Sequence, residues 1–132
     1  MDKFDNEDIV AYKELIEANE GVTLEVWPTI RGFTLVDSNP EGETELAMSR
    51  LFNSRITLSR INLTKRRQGV MTKIFQLSCN ICRKYGIKSF VVQSTITPEM
   101  VAWCVKNGLK PVQYSCFEAD GVLYGDYICD VD

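Results

Sequence analysis

The sequence predicts an α+β fold built on a mixed, mostly antiparallel sheet that contains one parallel strand pair. Three observations carry that expectation. Residues 22–27 alternate with the period of a strand and are followed closely by a second strand-like run at 31–36, which reads as a hairpin. Residues 112–119 and 122–129 flank Asp120-Gly121, the strongest two-residue hairpin signal in the chain. Between these pairs, an apolar run at 55–63, a helical stripe from Val70 to Tyr85 and a second apolar run at 87–93 give strand, helix, strand, which implies a right-handed parallel crossover.

The elements follow in order. Asp5, with Asp8 three residues on, is placed to cap a helix over residues 6–18, where Ile9, Tyr12 and Ile16 recur at helical spacing and face a core. Gly21 breaks this pattern, and Pro28 is expected to end the strand at 22–27. Residues 37–43, rich in Asp, Ser, Asn, Pro, Gly and Glu, read as a polar and acidic loop and the segment expected to move most. Residues 46–52 are apolar at uneven spacing, which leaves a short helix and irregular structure both open. In the central helix, Val70, Ile74, Leu77, Ser78, Ile81 and Tyr85 form one stripe, and Gly86 stops it. Phe90-Val91-Val92 is the nearly continuous apolar run of a strand buried on both faces. Thr97-Pro98-Glu99 supplies a capping hydroxyl, proline at the first helical position and an acid in the first turn, so a last helix starts there and ends at Gly108.

At 132 residues the chain has material for one core and not for two ordinary domains, so a single domain over residues 1–132 is expected. No apolar run is long enough to cross a bilayer, and the acidic N-terminus lacks a secretion signal; membrane partners are not expected and a cytoplasmic location is. The five cysteines are an odd number in such a chain and read as thiols. Cys79 and Cys82 have CxxC spacing, but they lie within a helical pattern without a second pair or any histidine, so no metal is expected. The absence of histidine also excludes histidine-dependent acid, base and nucleophile mechanisms. A net charge of −3 argues against a polyanion binder, so nucleic acid is not the expected partner and any positive field is local.

The local field lies in Lys65-Arg66-Arg67, the compact basic run, within a turn that joins the strand at 55–63 to the central helix. Amides at a helix start have no partner within the helix, and the helix dipole adds positive character there, so this turn is built to hold an anion. Gly69 allows close approach, and Arg66 and Arg67 add charged donors.

The element order together with this turn resembles the GNAT N-acetyltransferase family. The family's cofactor motif is V-x-P-x-x-[Q/R]-x-x-G-x-[G/A]; Ile61 stands for the valine, Leu63 for the proline, Arg66 for Q/R, Gly69 for the first glycine and Met71 for the small residue. A second family signature, Y-x-K-x-G-F, resembles residues 104–109, with Cys104 in place of the tyrosine. The resemblance covers residues 55–132 and implies an α/β/α layering with the parallel strands splayed, so that acetyl-CoA lies in a V-shaped opening between them. It places the pantetheine arm on strand backbone around Ile61 and Leu63, and the diphosphate on the N–H groups of Arg67, Gln68, Gly69, Val70 and Met71, with Arg66 as charge and Thr72 as a further hydroxyl. Acetyl-CoA as co-substrate and an amine acceptor, small molecule or protein, are the implied partners. Cys104 takes the position of the family's general acid, although a buried apolar role suits its helix position better. No base stands out among Glu25, Glu43, Glu45, Glu118 and Asp126, and Tyr114, Tyr124 and Tyr127 read as packing residues. The alternative to catalysis is a GNAT-fold protein that lost turnover and recognises a protein or nucleic acid. An exposed final hairpin would also offer an edge for homodimer pairing.

Overall fold

The computed structural model describes residues 4–65, 68–95 and 97–131, with Gln68 in its backbone only. Helix α1 (Asn6–Glu20) comes first and ends at Gly21, whose left-handed φ of 69° closes the last turn. Four antiparallel strands follow, β1 (Leu24–Thr29), β2 (Gly32–Asp37), β3 (Glu45–Leu51) and β4 (Arg55–Asn62), then α2 (Gln68–Tyr85), β5 (Ser89–Thr95) and α3 (Pro98–Lys106). A short β6 (Lys110–Pro111), a 3-10 turn (Gln113–Ser115), β7 (Phe117–Ala119) and the long β8 (Val122–Asp130) complete the chain. The sheet order is β1-β2-β3-β4-β5-β8-β6, with β7 paired to β8. Every pairing is antiparallel except β4 with β5, as the sequence predicts.

Several boundaries differ from expectation for identifiable reasons. Of residues 46–52, left open between helix and irregular structure, 46–51 belong instead to strand β3, and Phe52 lies in the turn after it. The apolar spacing there is uneven because Ala47 and Met48, adjacent in sequence, are both buried where the β3–β4 register shifts. Pro28 does not end β1 but lies within it; β1 is the outermost strand, so a residue without an N–H costs no ladder bond on the solvent side. Asp5 adopts the extended conformation of a cap, yet its carboxylate accepts from the Tyr85 hydroxyl rather than from an α1 amide. The run at 112–119 is broken by the 3-10 turn, and β7 retains three residues of it. The hairpin turn itself is as expected, with Asp120 at φ 51° and Gly121 at φ 78°, the left-handed pair that a tight two-residue connection requires.

The helices cover the sheet through one apolar cluster. Tyr12 of α1 packs on Phe33 of β2, and its hydroxyl lies 2.6 Å from Ser78 Oγ of α2. Phe75 of α2 stacks on Phe90 of β5 and, edge-on, on Trp103 of α3. All three helices therefore meet the face that carries Phe33, Met48, Leu58, Phe90 and Tyr127. The reason is topological: α1 precedes the strands and packs on α2, while the α2 and α3 crossovers run in the same direction across the sheet.

Candidate active site

The parallel pair is where the sheet opens. Pairing runs from Arg55 opposite Ser89 to Leu58 opposite Val92 and stops, although β4 continues to Asn62 and β5 to Thr95. Irregularities on both strands mark the end of the ladder. On β4, Ala47 faces Arg60 and Met48 faces Leu58, so Ser59 is the extra residue of a bulge. On β5, Val92 faces Tyr127 and Thr95 faces Gly125, leaving Gln93 and Ser94 against the single Asp126. Ser94 takes a left-handed φ of 54°, and its amide donates to Asp126 Oδ1 at 2.8 Å. Gly125 fits beside this distortion because a Cβ there would lie 2.6 Å from the Ser115 carbonyl oxygen.

The strands part around a cavity of about 620 Å3. Leu58, Ile61 and Leu63 line one wall and Val92, Ser94 and Thr95 the other. Val70 and Met71 from the start of α2, with Met100 and Trp103 from α3, close the helical side. Met71, the bulky replacement in the motif, is buried against the core and forms part of the wall without filling the opening. Trp103 is likewise both core and wall, and its indole donates to Thr72 Oγ1 at 3.3 Å. The Thr72 hydroxyl, expected to face a phosphate, is the acceptor in this bond.

Of the remaining predicted site residues, Gly69 is exposed in the first turn of α2, and a Cβ placed on it meets nothing within 4 Å. Arg66 and Arg67 lie outside the described residues, and for Gln68 only the helical backbone is described. Cys104 does not line the cavity. It is fully buried, and burial pushes its thiol up to about 12, which suits the apolar role over proton donation. Tyr127 is buried with its hydroxyl on the Leu123 carbonyl, and Tyr124 stacks on Phe117; neither lines the cavity.

Two carboxylates near the opening went unremarked as site residues in the sequence. Glu99 lines the cavity from the first turn of α3, where the sequence shows it only as a helix-start acid. Glu20, the last residue of α1, is buried and reaches the β4–α2 turn. Its Oε1 accepts from the Thr64 amide at 2.6 Å and from the hydroxyls of Thr64 and Thr44, each at 3.0 Å. Its Oε2 accepts from the Lys65 amide at 2.9 Å and from Asn19 Nδ2 at 3.0 Å. Burial raises its pKa, but these donors outweigh burial and hold the carboxyl below the usual range. Nothing in the sequence near Glu20 signals this role, because its amide partners lie 44 and 45 positions away. Among the sequence's candidate bases, Glu45 pairs with Arg60 of the cavity wall at 2.9 Å, and Asp126 is committed to Ser94.

This chain superposes on solved N-acetyltransferases. Ard1 from Thermoplasma volcanium superposes with a TM-score of 0.53 at 13% identity, covering 98% of this chain and 95% of that one. The chain has the GNAT fold. The Escherichia coli ribosomal-protein-S18-alanine N-acetyltransferase matches with a TM-score of 0.52 at 12% identity over 98% of this chain and 91% of its own. An IAA acetyltransferase from Bacillus cereus matches with a TM-score of 0.50 at 13% identity over 76% and 78%. No protein-family model matches the sequence, and neither does any curated protein. The GNAT fold is therefore held here by backbone geometry with little sequence in common. Among the described residues no three His, Cys, Asp or Glu side chains come together to hold a metal, and no helix is long and apolar enough to cross a membrane.

Proposed function

We propose that this chain is an N-acetyltransferase that transfers the acetyl group of acetyl-CoA to a primary amine. The observation that carries the reading is the end of the β4–β5 ladder at Leu58 and Val92 while both strands continue. Backbone groups beyond that point, on the facing edges of two parallel strands, are free to bond an extended amide-bearing chain as an added strand would. A pantetheine arm has that chemistry, and the apolar walls suit its methylenes and gem-dimethyl group. The α2 N-terminus at the mouth of the opening offers the amides of Gln68, Gly69, Val70 and Met71 to the diphosphate, and Arg66 and Arg67 directly precede them in the sequence. Gly69 fits the same picture, since the space beside it is open.

The chemistry asked of the protein is positioning. An amine delivered as the free base attacks the thioester carbonyl, the carbon–sulfur bond breaks and coenzyme A leaves as the thiol, its proton coming from the attacking nitrogen. Backbone N–H groups near Leu63 polarise the carbonyl. Cys104 has no part in this scheme, since it does not line the opening.

The test is thermal. Acetyl-CoA raises the melting temperature by binding the folded state alone, and the Gly69→Glu variant, which sets bulk and negative charge where the diphosphate lies, melts as wild type does but no longer shifts. No shift for wild type at millimolar acetyl-CoA overturns the reading. A shift without thioester cleavage over a broad amine panel identifies a GNAT-fold binder that has lost turnover.

A further inference from the structure

We infer that Glu20 is a positioning residue for the cofactor's diphosphate, acting through the turn that leads from β4 into α2. The inference rests on the acetyl-CoA reading above and adds a residue from outside the motif. Glu20 is a buried carboxylate whose recorded partners are all neutral donors: two backbone amides, two threonine hydroxyls and one carboxamide. A carboxylate accepts only, and both of its oxygens meet donors here, so the ionised form fits and no side chain with a hydrogen to give can replace it without an opposed contact.

The geometry shows what this arrangement does. The amides of Thr64 and Lys65 point to Glu20, so neither is available to a phosphate, and the amides left for it in this proposal are those of the first turn of α2. Asn19 holds the same stretch from its other side, with Nδ2 3.3 Å from the Lys65 carbonyl oxygen. Thr44, between β2 and β3, completes the clamp, so the turn is tied at once to α1 and to the antiparallel part of the sheet. Arg66 and Arg67 alone separate this fixed point from the first residue of α2. Upstream and downstream of those two residues the backbone is therefore set by the protein before any ligand arrives. Preorganised amides bind an anion without an ordering cost, which is the gain Glu20 confers.

The experiment compares two ligands that differ in the diphosphate. Affinities of acetyl-CoA and of acetyl-pantetheine, which lacks the nucleotide and diphosphate, are measured by NMR titration of wild type and Glu20→Gln. Wild type must bind acetyl-CoA for the parent reading to stand, and no binding overturns that reading with the inference. Given binding, Glu20→Gln weakens acetyl-CoA about tenfold, the loss of roughly one charge-assisted bond's worth of order, and leaves acetyl-pantetheine within about twofold. Equal weakening of both ligands, or of neither, refutes the positioning role and leaves the acetyl-CoA reading intact. Asn19→Ala, a half-buried truncation that keeps the carboxylate, is the second variant should Glu20→Gln not fold. It is expected to weaken acetyl-CoA about threefold with acetyl-pantetheine unchanged, and equal effects on the two ligands refute the role in the same way.

Discussion

The two halves of the β4–β5 pair differ in almost every physical respect though they are the same two strands. Below the bulge, Ile56, Leu58, Phe90 and Val92 are paired in register and buried under α2, and their contacts hold the sheet together. Above it, Ser59 to Asn62 and Gln93 to Thr95 are no longer paired with each other and line the opening. The change takes place over one residue on β4 and two on β5. A fold can thus place an opening directly on its buried central strands, provided a bulge separates the packed length from the open one.

That contrast is broken most severely from the packed half. Phe90→Ala removes a fully buried ring that contacts Phe75, and a destabilisation of about 3–5 kcal/mol is expected in denaturant unfolding. Gly69→Glu sits at the mouth of the open half and should do the reverse. Its own stability changes by no more than about 0.5 kcal/mol, because the site is exposed and an acid suits a first helical turn. What it loses is the ligand's contribution, about 2.7 kcal/mol at a hundredfold excess of acetyl-CoA over Kd in wild type.

Asp126→Ala tests the boundary between the halves. It removes the acceptor that holds the left-handed Ser94, so about 1 kcal/mol of stability and part of the acetyl-CoA shift should go together; a stability loss with the full shift retained would show that the β5 bulge does not shape the opening. The smallest effect is expected in acid. The Glu20 carboxyl is held below its ordinary value, so its contribution is complete above about pH 4.3 and is lost as pH falls through the lower folded value. Glu20→Gln should therefore show a shallower fall of stability with pH than wild type in that range, and parallel profiles would remove Glu20 as the cause.

Much of the fold was legible because its signals are local. The Asp120-Gly121 turn, the Thr97-Pro98-Glu99 start of α3, whose Thr97 hydroxyl accepts the Met100 amide at 3.2 Å, and the glycine stops at Gly21 and Gly86 each act within a few residues. The start of α2 after the basic run was legible for the same reason, and its Val70 and Met71 line the cavity. What escaped was set by pairs distant in sequence. β3 looked irregular because the bulge that reorders its pattern lies on β4, and Asp5 was drawn from its capping role by Tyr85, 80 positions away. Cys104 shows the limit of motif transfer, since matching a family position did not place its thiol in the opening.

The clamp at Glu20 has one more consequence, for pieces of this polypeptide. A proteolytic nick in the short connection between α1 and β1, followed by loss of the helix, would leave every residue of the motif and both parallel strands covalently intact. Such a fragment would lose Tyr12 and Ile16 from the core together with the carboxylate that ties the β4–α2 turn, so strands left covalently whole would depend on a helix encoded far upstream of them.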